Sequence, residues 1–302
     1  MQEAITKYRA FLAVAEEGSV TAAARRLFVS QPAVSADIST LEDSFGVLLF
    51  KRSNRGVSLT EEGKVLFEYV QKAFSLLSAG EERMREVAGL QNGTLHIGAS
   101  DMTLRFFLLD HIAAFHGAYP NIRLNVTNAP TPDTLEAIRG GILDFGVVSG
   151  PLPEGQEEFF AIPVRSFSDI FITSPDHPLA EKKKITRHDL AGYPMIMLEK
   201  NTSSRAYISS WLGSDFPPPA IELATSDLLL SFAERGIGVC AIAEDFAKEA
   251  IGKKRVKRLR LAEGPRPRQF YLVYLRRIPL SAAARAMIDM IGIKYEDRKE
   301  DI

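Results

Sequence analysis

Two periodicities divide the chain. Up to about residue 60 the apolar positions recur three and four apart in short runs. Leu12, Ala15, Ala23 and Leu27 share one such seam, and Val34, Ile38 and Leu41 follow at i, i+4, i+7 in the next. That spacing puts each set on one face of a helix. Between the runs, Val29-Ser30-Gln31-Pro32 breaks the pattern. Ser19 is the predicted N-cap of a helix from Val20 to Phe28. Ser30 caps the next, with Pro32 in the first turn, where its missing N–H costs little. Gln31, Ser35 and Ser39 fall on another face and point outward. Short helix, tight turn and second helix with a small polar face predict a helix-turn-helix, with a plain helical hairpin as the alternative.

"GVLLFKRSNRGVSLTEEG", residues 46 to 63, predicts strand, turn, strand. Lys51, Arg52 and Arg55 cluster at its tip, and Asn54 and Gly56 supply turn chemistry. Such a basic wing suits phosphate or minor-groove contact, although a charge cluster is also what a solvated loop carries. Residues 61 to 88 hold no proline and read as one helix. Along it Leu66, Tyr69, Ala73, Leu76 and Val87 approximate the 3-4 rhythm by which two copies of a helix pair, and Gly80 interrupts it. A helix packed on its own chain would show the same stripe.

From Gly93 the period changes. "TLHIGA", "NIRLNVTN" and "LDFGVVS" alternate with helical runs, predicting βαβ units and a mostly parallel sheet. The same grammar returns after Pro163 with "DIFITS", "YPMIMLE" and "AIELATS". "FAIPVRS" leaves the first block and "AEGPRPRQFYLVYL" returns to it, so two lobes with a hinged cleft between them are expected. The helix "SAAARAMIDMIG" closes the first lobe.

Composition narrows the chemistry. The 302 residues are 46% hydrophobic and 25% charged with net charge -1, so any nucleic-acid site is a local patch. One cysteine, Cys240, excludes an internal disulfide or a multi-cysteine cluster and reads as a small buried hydrophobe. The N-terminal stretch carries acids and no cleavage site, and no apolar run approaches the ~20 residues that span a bilayer. A soluble cytoplasmic protein is expected. Neither a nucleophile set nor an acid/base pair converges, so no enzyme is expected. Gly236-x-Gly238 alone is weak support for a dinucleotide. His111 and His116 have no accompanying ligands, so neither metal nor cofactor is expected.

Residues 11 to 63 resemble the DNA-binding domain of LysR-type transcriptional regulators. The run Ala-Ala-Ala, Ser-Gln-Pro-Ala-Val-Ser, Leu-Glu, Leu-Phe-Lys-Arg and Leu-Thr-x-x-Gly carries the likeness, and the linker helix and two-lobed remainder extend it over the whole chain. The fold it implies is α/β: a winged helix-turn-helix (1–60), a linker and dimerisation helix (61–90), and a Rossmann-like effector domain of the periplasmic-binding-protein type (91–302). Lobe I would comprise 91–163 and 268–302, and lobe II 164–267. The partners it implies are double-stranded DNA with a two-part operator, a small-molecule effector, and further copies in a homodimer or homotetramer joined through the linker helix. DNA contact falls to Thr21, Ser30, Gln31, Pro32, Ser35, Ala36, Asp37, Ser39, Lys51, Arg52 and Arg55. Gln pairs with adenine edges, small side chains admit thymine methyls, and helix N-termini favour phosphate. Where the family often has Ser-Arg-Gln-Ile-Arg, residues 35 to 39 read Ser-Ala-Asp-Ile-Ser. Asp37 either accepts from a cytosine amino group or repels phosphate.

Two strand-to-helix junctions offer effector contacts. "HIGASDMT" supplies Ser100, Asp101, Met102 and Thr103, and "MLEKNTSSRAYI" supplies Thr202, Ser203, Ser204 and Arg205. Hydroxyls and free N–H groups there form a receptor for a carboxylate or other small anion, although capping is their commoner task. Family analogy adds Val147 and Val148, and more weakly Asn128 and Thr225. "GKKRVKRLR", residues 252 to 260, reads as a charged edge strand, with a second DNA contact as the alternative. An enzyme or solute receptor on the two-lobed fold, and an architectural DNA-binding protein without a ligand, are the competing functions.

Overall fold

The computed structural model describes residues 2–53, 56–87 and 93–293, without the side chains of 2–4, 52, 53, 79 and 82–87. Two compact units result, Met1–Glu82 and Arg83–Ile302.

The first unit holds α1 (Gln2–Glu17), α2 (Val20–Leu27), α3 (Gln31–Phe45), β1 (Phe50–Ser53), β2 (Gly56–Leu59) and most of α4 (Glu61–Val87). Ser19 caps α2, its Oγ accepting from the Ala22 N–H at 3.3 Å, and Ser30 caps α3 by accepting from Ala33 at 3.4 Å. Phe28 ends α2 rather than belonging to it. It turns left-handed (φ 57), so that its N–H bonds Arg25 O at 3.2 Å and that of Val29 bonds Ala24 O at 3.1 Å. This closes the orphan carbonyls of α2 while the chain changes direction. Val34, Ile38 and Leu41 are buried as their spacing requires. On α1, however, the buried line is Ala10, Phe11, Ala13 and Val14, and Leu12 and Ala15 are only half-buried. Phe11 on that line packs with Leu41, Leu49 and Val70.

Threonine and glycine in the Leu-Thr-x-x-Gly run have local reasons. Thr60 Oγ1 accepts from the Gly63 N–H at 2.9 Å and donates to Leu48 O at 2.7 Å. A Cβ at Gly63 would stand 2.1 Å from Leu49 O. On α4, Leu66, Phe67 and Phe74 pack beside buried Val70 against Phe11, Leu41 and Leu49. Of the expected pairing seam, Leu66 therefore faces its own unit, while Tyr69, Ala73 and Leu76 are exposed beside Val65 and Leu77. The Val87 side chain lies outside the described residues. The helix runs through Gly80 without a break.

The second unit continues with β3 (Thr94–Ala99), α5 (Asp101–Thr103), a π turn (Leu104–Leu108), α6 (Leu109–Ala118), β4 (Arg123–Asn128), α7 (Thr131–Arg139), β5 (Phe145–Ser149) and β6 (Phe159–Phe167). Next come β7 (Asp169–Thr173), α8 (Arg187–Ala191), β8 (Met195–Leu198), α9 (Ser203–Leu212), β9 (Ile221–Leu223), α10 (Ser226–Glu234), β10 (Val239–Ala243), α11 (Glu244–Gly252) and β11 (Lys257–Arg258). β12 (Arg268–Leu275) and α12 (Ala282–Met290) complete it. Two five-stranded sheets form, in the orders β4-β3-β5-β12-β6 and β11-β7-β10-β8-β9. Both are mixed rather than mostly parallel. The βαβ pairs β3–β4, β3–β5, β8–β9 and β8–β10 run parallel, but the strands at the crossings add antiparallel partners. β6 continues past Pro163 to Phe167 in the first sheet. Pro163, which has no N–H, sits where the β6–β12 register shifts, so the strand bulges instead of ending. The crossing to the second sheet therefore falls at Ser168, not after Pro163. One buried core spans both sheets, joining Leu95, Ile97, Phe145 and Phe270 with Ile172, Ile196, Leu229 and Phe246.

Gly63→Ala is expected to force the start of α4 off the Leu49 carbonyl and to destabilise the first unit by about 1–3 kcal/mol, the usual cost of overpacking. Thermal unfolding of the variant checks this. An unchanged midpoint would mean that the helix start shifts freely.

Candidate nucleic-acid and effector sites

In the first unit the expected DNA-contact residues fall into two groups. Thr21 Oγ1 lies 3.4 Å from Gln31 Oε1, so the starts of α2 and α3 meet at one exposed point, with Ser30 and Pro32 beside it. Ser35 and Ser39 line a groove of about 440 Å³ between α3 and the wing, and Lys51 closes its other side. Glu42 at its base is spent on the chain itself, accepting from the Leu49 N–H at 2.8 Å and from Phe50 at 3.2 Å. Ala36 is exposed, whereas Asp37 is half-buried and does not line the groove. Arg55 and Asn54 lie outside the described residues, as does the Arg52 side chain. Register pairs Phe50 with Leu59 and Ser53 with Gly56, so the wing is the two-stranded ribbon its sequence predicts.

The basic run at 252–260 has no comparable face. Lys253 pairs with Glu249 (2.6 Å), Arg255 with Glu234 (2.7 Å), Lys257 with Glu181 (2.5 Å) and Arg258 with Glu244 (2.8 Å). Val256 and Leu259 are buried and β11 forms the sheet edge. Four of its six cations are thus paired with acids, which lowers the net positive charge of the run.

The second unit brings several helix starts together between its sheets. Ser100 caps α5 in a reciprocal box with Thr103, and Thr103 Oγ1 donates to Val147 O at 2.7 Å. Asp101 is part-exposed 3.9 Å from Arg105, whose guanidinium pairs bidentately with Asp227 at the start of α10 (3.1 and 2.9 Å). Thr131 at the start of α7 lies 3.5 Å from Ser203 at the start of α9, hydroxyl to hydroxyl. Met102, Asp169, Met197, Ser204, Arg205 and Ser226 are among the residues that line one cavity of about 10 Å³, room for a single water.

Several expected contacts change role. Val147 and Val148 are fully buried, and because adjacent strand residues face opposite sides they enter two different cores. Their side chains cannot line a cleft, and the Val147 carbonyl already accepts one bond from Thr103. The Thr202 hydroxyl accepts from the Arg205 N–H at 3.2 Å and donates to Glu199 O at 3.0 Å, so capping uses both its functions. Arg205 turns under α9 to Ser209, Leu198 O and Glu222, each at 2.9 Å. Asn128 is exposed at the end of β4, and Thr225 is exposed and makes no cap bond.

Sequence reasoning missed the residue that joins these parts. Arg268 opens β12, and its Nε and Nη2 donate to the two carboxylate oxygens of Asp169 at 2.7 and 3.0 Å. Nη1 donates to Gly150 O and Nη2 also to Ser204 Oγ, both at 2.8 Å. The guanidinium lies between the rings of Phe167 and Tyr207, 4.4 and 4.8 Å from their centroids. A signal existed: Arg268 and Asp169 each begin an otherwise apolar strand at a crossing between lobes.

Cys240 on β10 is buried with its thiol against Leu229 O at 3.2 Å, and burial pushes its pKa up to about 12. Among the described residues no group of acids, histidines and cysteine has the arrangement of a metal site, and no helix is long and apolar enough to cross a membrane.

Helix-turn-helix, wing and a two-sheet domain with converging helix starts define a DNA-binding regulator with an attached sensor domain. Comparison with known proteins makes the family explicit. Residues 5–64 match the family described as "Bacterial regulatory helix-turn-helix protein, lysR family", and residues 88–294 match "LysR substrate binding domain". The chain belongs to the LysR family of transcriptional regulators, which are not enzymes. It is 28% identical over 298 residues to the RuBisCO operon transcriptional regulator of Allochromatium vinosum, covering 96% of each chain. Its fold is similar to that of full-length OxyR from Pseudomonas aeruginosa, solved as a cysteine-to-aspartate variant (TM-score 0.68, 22% identity, 96% of this chain and 94% of that one). It is also similar to that of full-length CbnR in complex with its target DNA (TM-score 0.65, 17% identity, 95% and 98%).

A thiol whose pKa is near 12 is protonated throughout the neutral range, and the thiolate is the nucleophile. At pH 8 an aromatic disulfide reagent is therefore expected to leave native Cys240 unlabelled and to titrate one thiol after unfolding. Rapid labelling of the native protein would contradict the burial of β10.

Proposed function

We propose that this regulator binds a two-part site on double-stranded DNA as a homodimer or homotetramer paired through α4, and that it senses a small anionic metabolite between the two sheets of its second unit. Support for pairing comes from Val65, Tyr69 and Leu76, which fall at i, i+4 and i+11 on one exposed apolar line of α4. Gln31, Ser35 and Ser39 would read bases while Thr21, Ser30, Lys51, Arg52 and Arg55 hold phosphates. The observation that carries the sensor reading is the meeting of helix starts at one small cavity: Met102 of α5, Ser204 of α9 and Ser226 of α10, with Thr131 of α7 against Ser203. Unpaired N–H groups and aligned peptide dipoles make each start weakly positive. Ser203 and Ser204 replace Thr202 as the contacts offered to a ligand, with Ser100, Asp101, Met102, Asn128 and Thr225 around them.

The chemistry of the site favours a carboxylate or phosphate oxygen over a cation. Arg268 and Arg205 are already neutralised by Asp169 and Glu222, so attraction comes from fixed dipoles rather than from a free side-chain charge. In Allochromatium vinosum the related protein regulates a RuBisCO operon. Phosphorylated carboxylic acids join plain carboxylates in the set to be tried, because a helix start receives either oxyanion.

Two measurements test these readings. On duplexes selected from a random pool by the wild-type protein, Gln31→Ala is expected to cost about 1–3 kcal/mol of affinity and to relax the selected sequence, as a lost base contact does. Lys51→Ala should instead lower the slope of log K against log salt by about one, the mark of a lost phosphate contact. Equal, sequence-blind losses in both would remove Gln31 from the base-reading set. For the sensor, thermal unfolding is followed against carboxylates, phosphorylated carboxylates and matched ammonium compounds. A ligand at one hundred times its Kd adds about 2.7 kcal/mol to the folded state. Acids alone should raise the midpoint; a rise with the ammonium compounds alone would reverse the charge assignment.

A further inference from the structure

We infer that Arg268 is a positioning residue of the effector site: it orients the Ser204 hydroxyl toward an incoming ligand oxygen and ties that hydroxyl to the junction between the sheets. This rests on the sensor reading above.

Arg268 is almost wholly enclosed, its side chain 2% exposed, and the guanidinium has little freedom. Asp169 takes Nε and one N–H of Nη2, Gly150 O takes one of Nη1, and Ser204 Oγ takes the other N–H of Nη2. The aromatic faces of Phe167 and Tyr207 hold its plane, and Tyr207 is itself held by donation from its hydroxyl to Arg266 O at 2.7 Å. A serine hydroxyl has one proton and two lone pairs. Since Arg268 donates to Ser204 Oγ, the proton of Ser204 must point elsewhere, and among the described residues no acceptor receives it. Ser204 lines the small cavity with Met102, Met197 and Ser226. The guanidinium thus presents Ser204 to the cavity as a donor, polarised by the charge behind it. That proton suits an acceptor oxygen on a ligand, while the second lone pair of Ser204 is left for a donor.

The same network says what occupancy must do. The cavity holds about one water, so any organic acid that reaches Ser204 displaces the start of α9 from its neighbours. Ser204 is bonded to a guanidinium that also holds Gly150, just past the end of β5 of the first sheet, and Asp169 of the second. The Gly150 N–H in turn bonds Gln269 O on β12 at 2.8 Å. Movement at Ser204 is passed to both sheets through one rigid side chain.

A carboxylate supplied by the chain tests this without a known effector. Ser204→Asp places an acid beside Arg268, and Ser204→Asn places a neutral group of the same size. In the full-length protein, hydrogen exchange at the Gly150 amide and along β12 is expected to differ several-fold between the two. Equal rates at both places would overturn the inference. Arg268→Lys keeps the charge but loses the planar fork. If it folds, it should abolish the Asp-versus-Asn difference; a surviving difference would also overturn the inference. As a functional readout, Ser204→Asp should change the footprint on pool-selected duplexes relative to Ser204→Asn, and identical footprints would count against coupling to DNA. Should the wild type select no sequence at all, the regulator reading fails on its own, and the exchange measurement still decides Arg268.

Discussion

The second unit depends on one pair of charges taken out of water together. The side chains of Arg268 and Asp169 are each 2% exposed and meet through two hydrogen bonds. Burying either ion alone costs several kcal/mol, so the geometry that keeps them together is strongly specified even where the pair adds little net stability. Asp169 begins β7 of one sheet and Arg268 begins β12 of the other. To keep the pair, the two crossings must lie side by side, and the sheets are placed accordingly. Gly150 and Ser204 then attach the end of β5 and the start of α9 to the same point.

The shared core limits what an effector can do. Phe106 of the π turn meets Phe246 of α11 edge to face at 4.7 Å, and Arg105 lies 5.3 Å over the same ring. Arg165 of β6 bonds both Phe106 O and Asp245. Opening the sheets widely would expose this apolar surface and separate these ion pairs. A response of small shifts, transmitted by side chains with discrete positions, is the form of switching such packing allows.

In the first unit the constraint is the change of direction after α2. Phe28 adopts a left-handed backbone that L-residues avoid, and its ring is 96% exposed. No packing compensates for that conformation. The return is geometric: the turn lets α3 begin at Ser30 with its start beside Thr21 and one flank beside the wing, which brings Ser35, Ser39 and Lys51 to one groove with Gln31 at the start of α3.

What could be read from sequence was what short-range chemistry decides. Ser19 and Ser30 as caps, the Val34-Ile38-Leu41 stripe, the wing, the alternating strands and the charged edge at β11 all follow from neighbours within a turn or a ribbon. Tertiary structure alone decided which hydroxyls are spent and which charges are cancelled. Thr202 serves its own helix, Val147 and Val148 point into opposite cores, and four cations of the basic run pair with Glu181, Glu234, Glu244 and Glu249. Arg268 finds Asp169 across 99 positions of chain. Periodicity reports which face of an element is apolar. It carries no information about which distant polar group will arrive there, because that depends on how both sheets pack.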